Sequence, residues 1–90
     1  MKVFKYSFDV ADRVVLDMPY GAEVLCVQTQ DNRPNIWAKV SPNLVKEKRV
    51  FRIFGTGHPI SDDAKLTYVG TFQLVGGTFV GHLFEEVNHG

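Results

Sequence analysis

The stretch Tyr68-Val69-Gly70-Thr71-Phe72-Gln73-Leu74-Val75, then Gly76-Gly77, then Thr78-Phe79-Val80-Gly81-His82-Leu83-Phe84-Glu85-Glu86, decides the fold. Two runs of strand-forming residues flank a glycine pair, and glycine supplies the positive φ that a tight hairpin turn requires. With Gly76-Gly77 as the loop, Leu74 faces Phe79, Phe72 faces Gly81, Gly70 faces Leu83 and Tyr68 faces Glu85. The glycines leave room for the ring of Phe72, so this face is expected in the core. The opposite face then carries Val69 with Phe84, Thr71 with His82, and Gln73 with Val80. It is half apolar and half polar.

Period-two alternation recurs through the rest of the chain, and helical periodicity is nearly absent. Phe4, Tyr6 and Phe8 share one face of a strand over Val3–Phe8, and Arg13–Asp17 is short and β-branched. Met18-Pro19-Tyr20-Gly21 reads as a turn. Glu23–Gln30 and Asn35–Val40 flank Asp31-Asn32, residue types that tolerate the left-handed conformation of a two-residue hairpin loop. That hairpin sets Val27 against Ile36 and Leu25 against Ala38 on one face, Cys26 against Trp37 and Val24 against Lys39 on the other. In Lys48–Phe54, Val50, Arg52 and Phe54 alternate with Arg49, Phe51 and Ile53. Gly55–Ala64 is irregular, with Ser61-Asp62-Asp63 able to cap one helical turn.

The expected fold is therefore all-β, a small antiparallel sandwich or partly closed barrel of about seven short strands with little helix. The 90 residues make one domain, 1–90. Total stability at this size is on the order of 5–13 kcal/mol. Both hairpins put apolar side chains on each side of a sheet, which one wet face does not need. A homo-oligomer that covers the second face through Val69, Val80, His82 and Phe84 is the expectation.

Ten basic and ten acidic side chains balance to zero, so no charge excess exists for bulk nucleic-acid binding. One cysteine, Cys26, excludes a disulfide scaffold and suits a reducing cytoplasm. No apolar stretch reaches the roughly 20 residues that span a bilayer, so no membrane partner is expected. Three scattered histidines, His89 among them near the chain end, lack the close spacing of a metal site, and no cofactor is expected.

Phe54-Gly55-Thr56-Gly57-His58-Pro59 is the most informative local pattern. Glycines around a threonine let backbone N–H groups converge on an anion, with His58 able to donate, accept or stack. A tight turn out of a strand, pinned by His58, is the competing reading. It is neither a Walker A sequence nor a dinucleotide fingerprint. Arg49 and Arg52 lead into this loop and suit phosphate, although an ideal strand points them to opposite faces. Trp37 and Tyr68 offer stacking surfaces. A phosphodiesterase using His58 and His82 comes third, because the two-histidine pattern wants Ser or Thr where Ile60 and Phe84 stand. The expected chain is not an enzyme.

Lys2-Val3-Phe4-Lys5-Tyr6, Met18-Pro19-Tyr20-Gly21-Ala22-Glu23-Val24-Leu25, Trp37-Ala38, Phe51-Arg52-Ile53-Phe54-Gly55-Thr56-Gly57-His58-Pro59-Ile60, Tyr68-Val69-Gly70-Thr71-Phe72 and Phe84-Glu85 together carry a resemblance. The chain resembles an uncharacterised family of short phage and prophage proteins. That resemblance implies an accessory protein acting in the cytoplasm of an infected bacterium, and brings no catalytic residues. The expected function is binding: sequestration of a nucleotide-like host immune signal by Arg49, Arg52, Gly55, Thr56, Gly57, His58, Trp37 and Tyr68. The alternative is a protein–protein module that inhibits a host protein or joins the phage particle.

Overall fold

The computed structural model describes residues 1–87, so His89 lies outside the described residues. The described residues form seven strands: β1 (Lys2–Ser7), β2 (Arg13–Pro19), β3 (Glu23–Gln30), β4 (Arg33–Val40), β5 (Lys46–Gly55), β6 (Leu66–Leu74) and β7 (Phe79–Glu86). They make two antiparallel sheets, ordered β1-β4-β3 and β2-β5-β7-β6, packed face to face and not closed into a barrel. Alternation explains the layering. Ile36, Ala38 and Val40 of β4 point into the sandwich and meet Phe51 and Ile53 of β5, Phe72 of β6 and Leu83 of β7. Full burial of each large side chain contributes about 1.5–3 kcal/mol.

The Asp31-Asn32 loop is the expected two-residue turn, with φ of 53° and 58°. Register follows it from Gln30–Arg33 to Cys26–Trp37, then a bulge at Leu25 intervenes. Val24, not Leu25, therefore opposes Ala38, and Glu23 takes the place opposite Lys39, 3.2 Å from its ammonium. Leu25 is left 45% exposed.

The glycine hairpin departs in two ways. Its loop runs over Val75–Thr78, closed by Thr78 N–H donating to the Val75 carbonyl at 3.2 Å, with a 3₁₀ turn at Val75–Gly77. Leu74 still opposes Phe79 and the expected register holds to Gly70–Leu83. A bulge then sits at Val69, so Tyr68 opposes Phe84 rather than Glu85. Val69 packs against the core instead of sharing a face with Phe84. The cause is a close approach of the two sheets. A Cβ on Gly70 would stand 2.8 Å from Val27 Cγ1, so β6 turns locally to bring its bare backbone to β3. Ser61-Asp62-Asp63 forms a turn rather than a capped helix, with Ala64 N–H donating to the Ser61 carbonyl at 3.0 Å.

Candidate functional site

The outer face of the four-stranded sheet gathers most of the chemistry. Cross-strand register places Arg13, Arg52, Phe84 and Tyr68 in one row, and Phe54, His82 and Thr71 in the next. Val15 and Val50 lie opposite each other beside the first row. Phe84 sits edge-on between two rings, 5.8 Å from Phe54 and 5.4 Å from Tyr68 between centroids. The Arg52 guanidinium lies 5.4 Å over the Phe54 ring, a cation–π arrangement. Its Nη1 is 3.7 Å from Glu86, and its Nε donates to the Asp12 carbonyl at 3.2 Å.

His82 links the second row into a chain of hydrogen bonds. Its Nε2 pairs with the Thr56 hydroxyl at 2.8 Å, its Nδ1 with the Thr71 hydroxyl at 2.9 Å, and Thr71 with the Tyr68 hydroxyl at 2.6 Å. A neutral imidazole donates through one nitrogen and accepts through the other, so the two threonine hydroxyls set its tautomer between them. The chain ties the Gly-Thr-Gly loop to β7 and β6 and fixes the Tyr68 hydroxyl against Thr71 on the face.

Gly55–His58 is a turn, closed by His58 N–H donating to the Gly55 carbonyl at 3.1 Å, with Gly57 at φ 85°. The His58 ring folds back over Gly55, where a Cβ would lie 2.9 Å from Cε1. Both glycines thus have a steric reason that involves no ligand. Two clefts open to solvent border His58. One, about 260 Å³, touches Asp12, Arg52, Phe54 and Pro59; the other, about 280 Å³, touches Gly55, Thr56, Phe79 and Val80.

Of the expected site residues, Arg52, Thr56, Tyr68, His82, Phe84 and Val80 are brought to this face, and Gly55, Gly57 and His58 to its rim. Arg49, Trp37 and Val69 are not. Arg49 points inward at the open end of the sandwich, where Nε and Nη2 both bond the Glu85 carboxylate, Nη2 at 2.9 Å. Its Nη1 donates to the Ala22 carbonyl at 2.8 Å. Hydrogen bonding to Glu85 outweighs burial and holds this guanidinium above its ordinary pKa. Trp37 lies on the outside of the other sheet, in a row with Lys5 and Cys26. Phe54, Val15 and Val50 belong to the face although the site reasoning passed over them. Their signal was the shared parity of Val50, Arg52 and Phe54, without the β5–β7 pairing that gives it neighbours. Among the described residues no group of three or more His, Cys, Asp or Glu side chains could hold a metal ion.

A family model described as a domain of unknown function, DUF7352, matches residues 1–90. No curated protein and no solved structure matches the chain.

Proposed function

The chain belongs to the DUF7352 family of domains of unknown function, and from that premise we propose that it is a non-catalytic protein-binding module. Its working surface is the outer face of the four-stranded sheet. One observation carries the reading: the rings of Phe54, Phe84 and Tyr68 adjoin there with the Val15–Val50 pair in register beside their row, Tyr68 is 56% and Val15 42% exposed, and no described element lies over them. Tyrosine, phenylalanine and arginine around a flat apolar centre suit a protein interface. Small-molecule sites are concave and bury most of their ligand, whereas the clefts beside this face are open. The resemblance to short phage proteins supports a host protein as partner, met in the bacterial cytoplasm.

A nucleotide-like ligand is the second reading, favoured by the Arg52–Phe54 stack beside Tyr68. Glu86 and the Asp12 carbonyl already share that guanidinium, which weakens its pull on phosphate. Affinity capture from bacterial lysate with wild type, Tyr68→Lys and Trp37→Ala separates faces. The reading expects a partner held by wild type and Trp37→Ala and lost by Tyr68→Lys. Equal capture by all three overturns it. A thermal-shift screen of nucleotides covers the second reading, with about 2.7 kcal/mol of stabilisation expected at 100 times the dissociation constant. Loss of such a shift in Arg52→Ala would make the ligand the better account.

A further inference from the structure

The two sheets have four edge strands, and they are not alike. β3 and β6 lie against each other, with the Thr29 hydroxyl donating to the Gln73 carbonyl at 2.7 Å and Gly70 seated on Val27. β1 carries Lys2 and Lys5, side chains that discourage edge-to-edge pairing. β2, Arg13-Val14-Val15-Leu16-Asp17-Met18-Pro19, has a pattern of the opposite kind. Read about Val15, it is self-complementary in charge.

We propose that β2 is a homodimerisation edge, pairing antiparallel with β2 of a second copy across a two-fold axis at Val15. Backbone parity supports this register. Ile53 N–H donates to the Asp12 carbonyl at 3.2 Å, and Tyr20 N–H to the Val45 carbonyl at 2.8 Å. Both bonds belong to the β2–β5 ladder, in which Val14 opposes Phe51, so the even positions of β2 turn their N–H and C=O groups to β5. The N–H and C=O groups of Arg13, Val15 and Asp17 therefore turn away from it, to an edge that no described strand pairs with. In the dimer Val15 faces Val15 of the second copy, and Arg13 faces its Asp17. Each facing pair exchanges two N–H···O bonds. Pro19 has no N–H and ends the ladder where an edge strand tolerates it.

Side chains agree with the backbone. Arg13 and Asp17 project from the outer face with 59% and 58% of their side chains exposed, Arg13 3.9 Å from Glu86 and Asp17 3.2 Å from Lys48 of the same chain, and across the axis opposite charges meet twice. Val15, exposed in one copy, is covered by its twin. On the inner side Val14 meets Leu16 of the second copy, and half-buried Leu16 gains the cover it lacks at the sheet margin. Centring the pairing on Arg13 or Asp17 would instead oppose like charges. The product is one continuous eight-stranded sheet, β6-β7-β5-β2 joined to β2-β5-β7-β6, with both outer faces on one side.

This inference stands apart from the protein-binding reading, because Tyr68→Lys should leave the dimer intact. Sedimentation equilibrium at a few hundred micromolar should give twice the monomer mass for wild type. Arg13→Asp and Asp17→Arg alone each oppose like charges at both ends of the ladder, and each should weaken self-association about tenfold or more. Mixed in equal amounts, the two variants restore opposite-charge pairs and should form a heterodimer. Amide exchange reads the ladder directly: N–H groups of Arg13, Val15 and Asp17 should be protected in concentrated wild type and exposed in either variant, while those of Val14 and Leu16 stay protected throughout. Circular dichroism confirms that each variant is folded. A wild type monomeric at that concentration, or a dimer with fast-exchanging Arg13, Val15 and Asp17 amides, overturns the proposal.

Discussion

Gly81→Ala tests the packing on which the fold rests. Gly81 lies on the inner side of β7, opposite Phe72 of β6. A methyl added there would stand 2.6 Å from Phe72 Cζ, 2.9 Å from Phe72 Cε1 and 3.0 Å from Phe79 Cε2. The Phe72 ring cannot easily retreat. It is 3% exposed, edge-on to Phe8 at 6.1 Å and tilted against Phe79 at 6.1 Å. Overpacking of this kind costs about 1–3 kcal/mol. Removing the backbone freedom of glycine from the unfolded chain returns about 0.4–1 kcal/mol. The expected net loss is about 1–2 kcal/mol, measured as a lower urea midpoint at unchanged slope. Phe72→Leu alone should cost about 1–2 kcal/mol through lost contact. In the double variant the new methyl fills space the ring has vacated, so the combined loss should fall short of the sum by about 1 kcal/mol. A Gly81→Ala protein within about 0.5 kcal/mol of wild type, or strict additivity, would refute the claim that this glycine exists to seat that ring.

Val75 is a β-branched residue at φ 52°, a strained conformation that its exposed side chain does not require. Val75→Asn should raise stability by about 0.5–1 kcal/mol in the same urea assay, since asparagine enters the left-handed region more readily. Arg49→Met removes both bonds to Glu85 and the one to the Ala22 carbonyl, and should cost about 1–3 kcal/mol. Arg49→Met/Glu85→Met should recover part of that loss, because the Glu85 carboxylate is no longer left without its partner, while Glu47, 3.9 Å from Arg49 Nη1, still accepts from the Gly21 N–H. Burial raises the pKa of the Tyr6 phenol above its ordinary 10.0. The unfolded chain then releases this proton first, so stability present below pH about 10 falls as pH rises through the folded value. Tyr6→Phe should flatten that part of the stability–pH curve, followed by urea midpoints from neutral to alkaline pH.

A cytoplasmic setting and a phage origin stay expectations, drawn from the lone cysteine and the resemblance alone. The sandwich rests on periodicity, and that difference shows where local information ends. Alternation and turn residues act within a few positions of the chain. The Asp31-Asn32 turn, the Val27–Ile36 register and the space that Gly81 leaves for Phe72 were therefore legible from residue types alone. The Arg49–Glu85 pair was not, because β5 meets β7 across a long span of chain whose register no local rule sets. Of the Thr56–His82–Thr71–Tyr68 chain only the Thr71–His82 pairing was legible; the rest needs β5, β6 and β7 side by side and Tyr68 turned by the bulge.

By itself the order of residues determined that this chain forms short antiparallel strands, which of them pair through tight turns, and which side chains share a face near each turn. Side-chain period and the φ demands of turns are local properties, and they travel with the sequence. The tertiary structure alone decided where the ladders slip, at Leu25 and Val69, and hence that Tyr68 rather than Val69 joins Phe84 on the outer face. It also decided that β1 and β2 stand at the margins while β3 and β6 close on each other. Both outcomes depend on how near two sheets can come, and only the folded sandwich sets that distance.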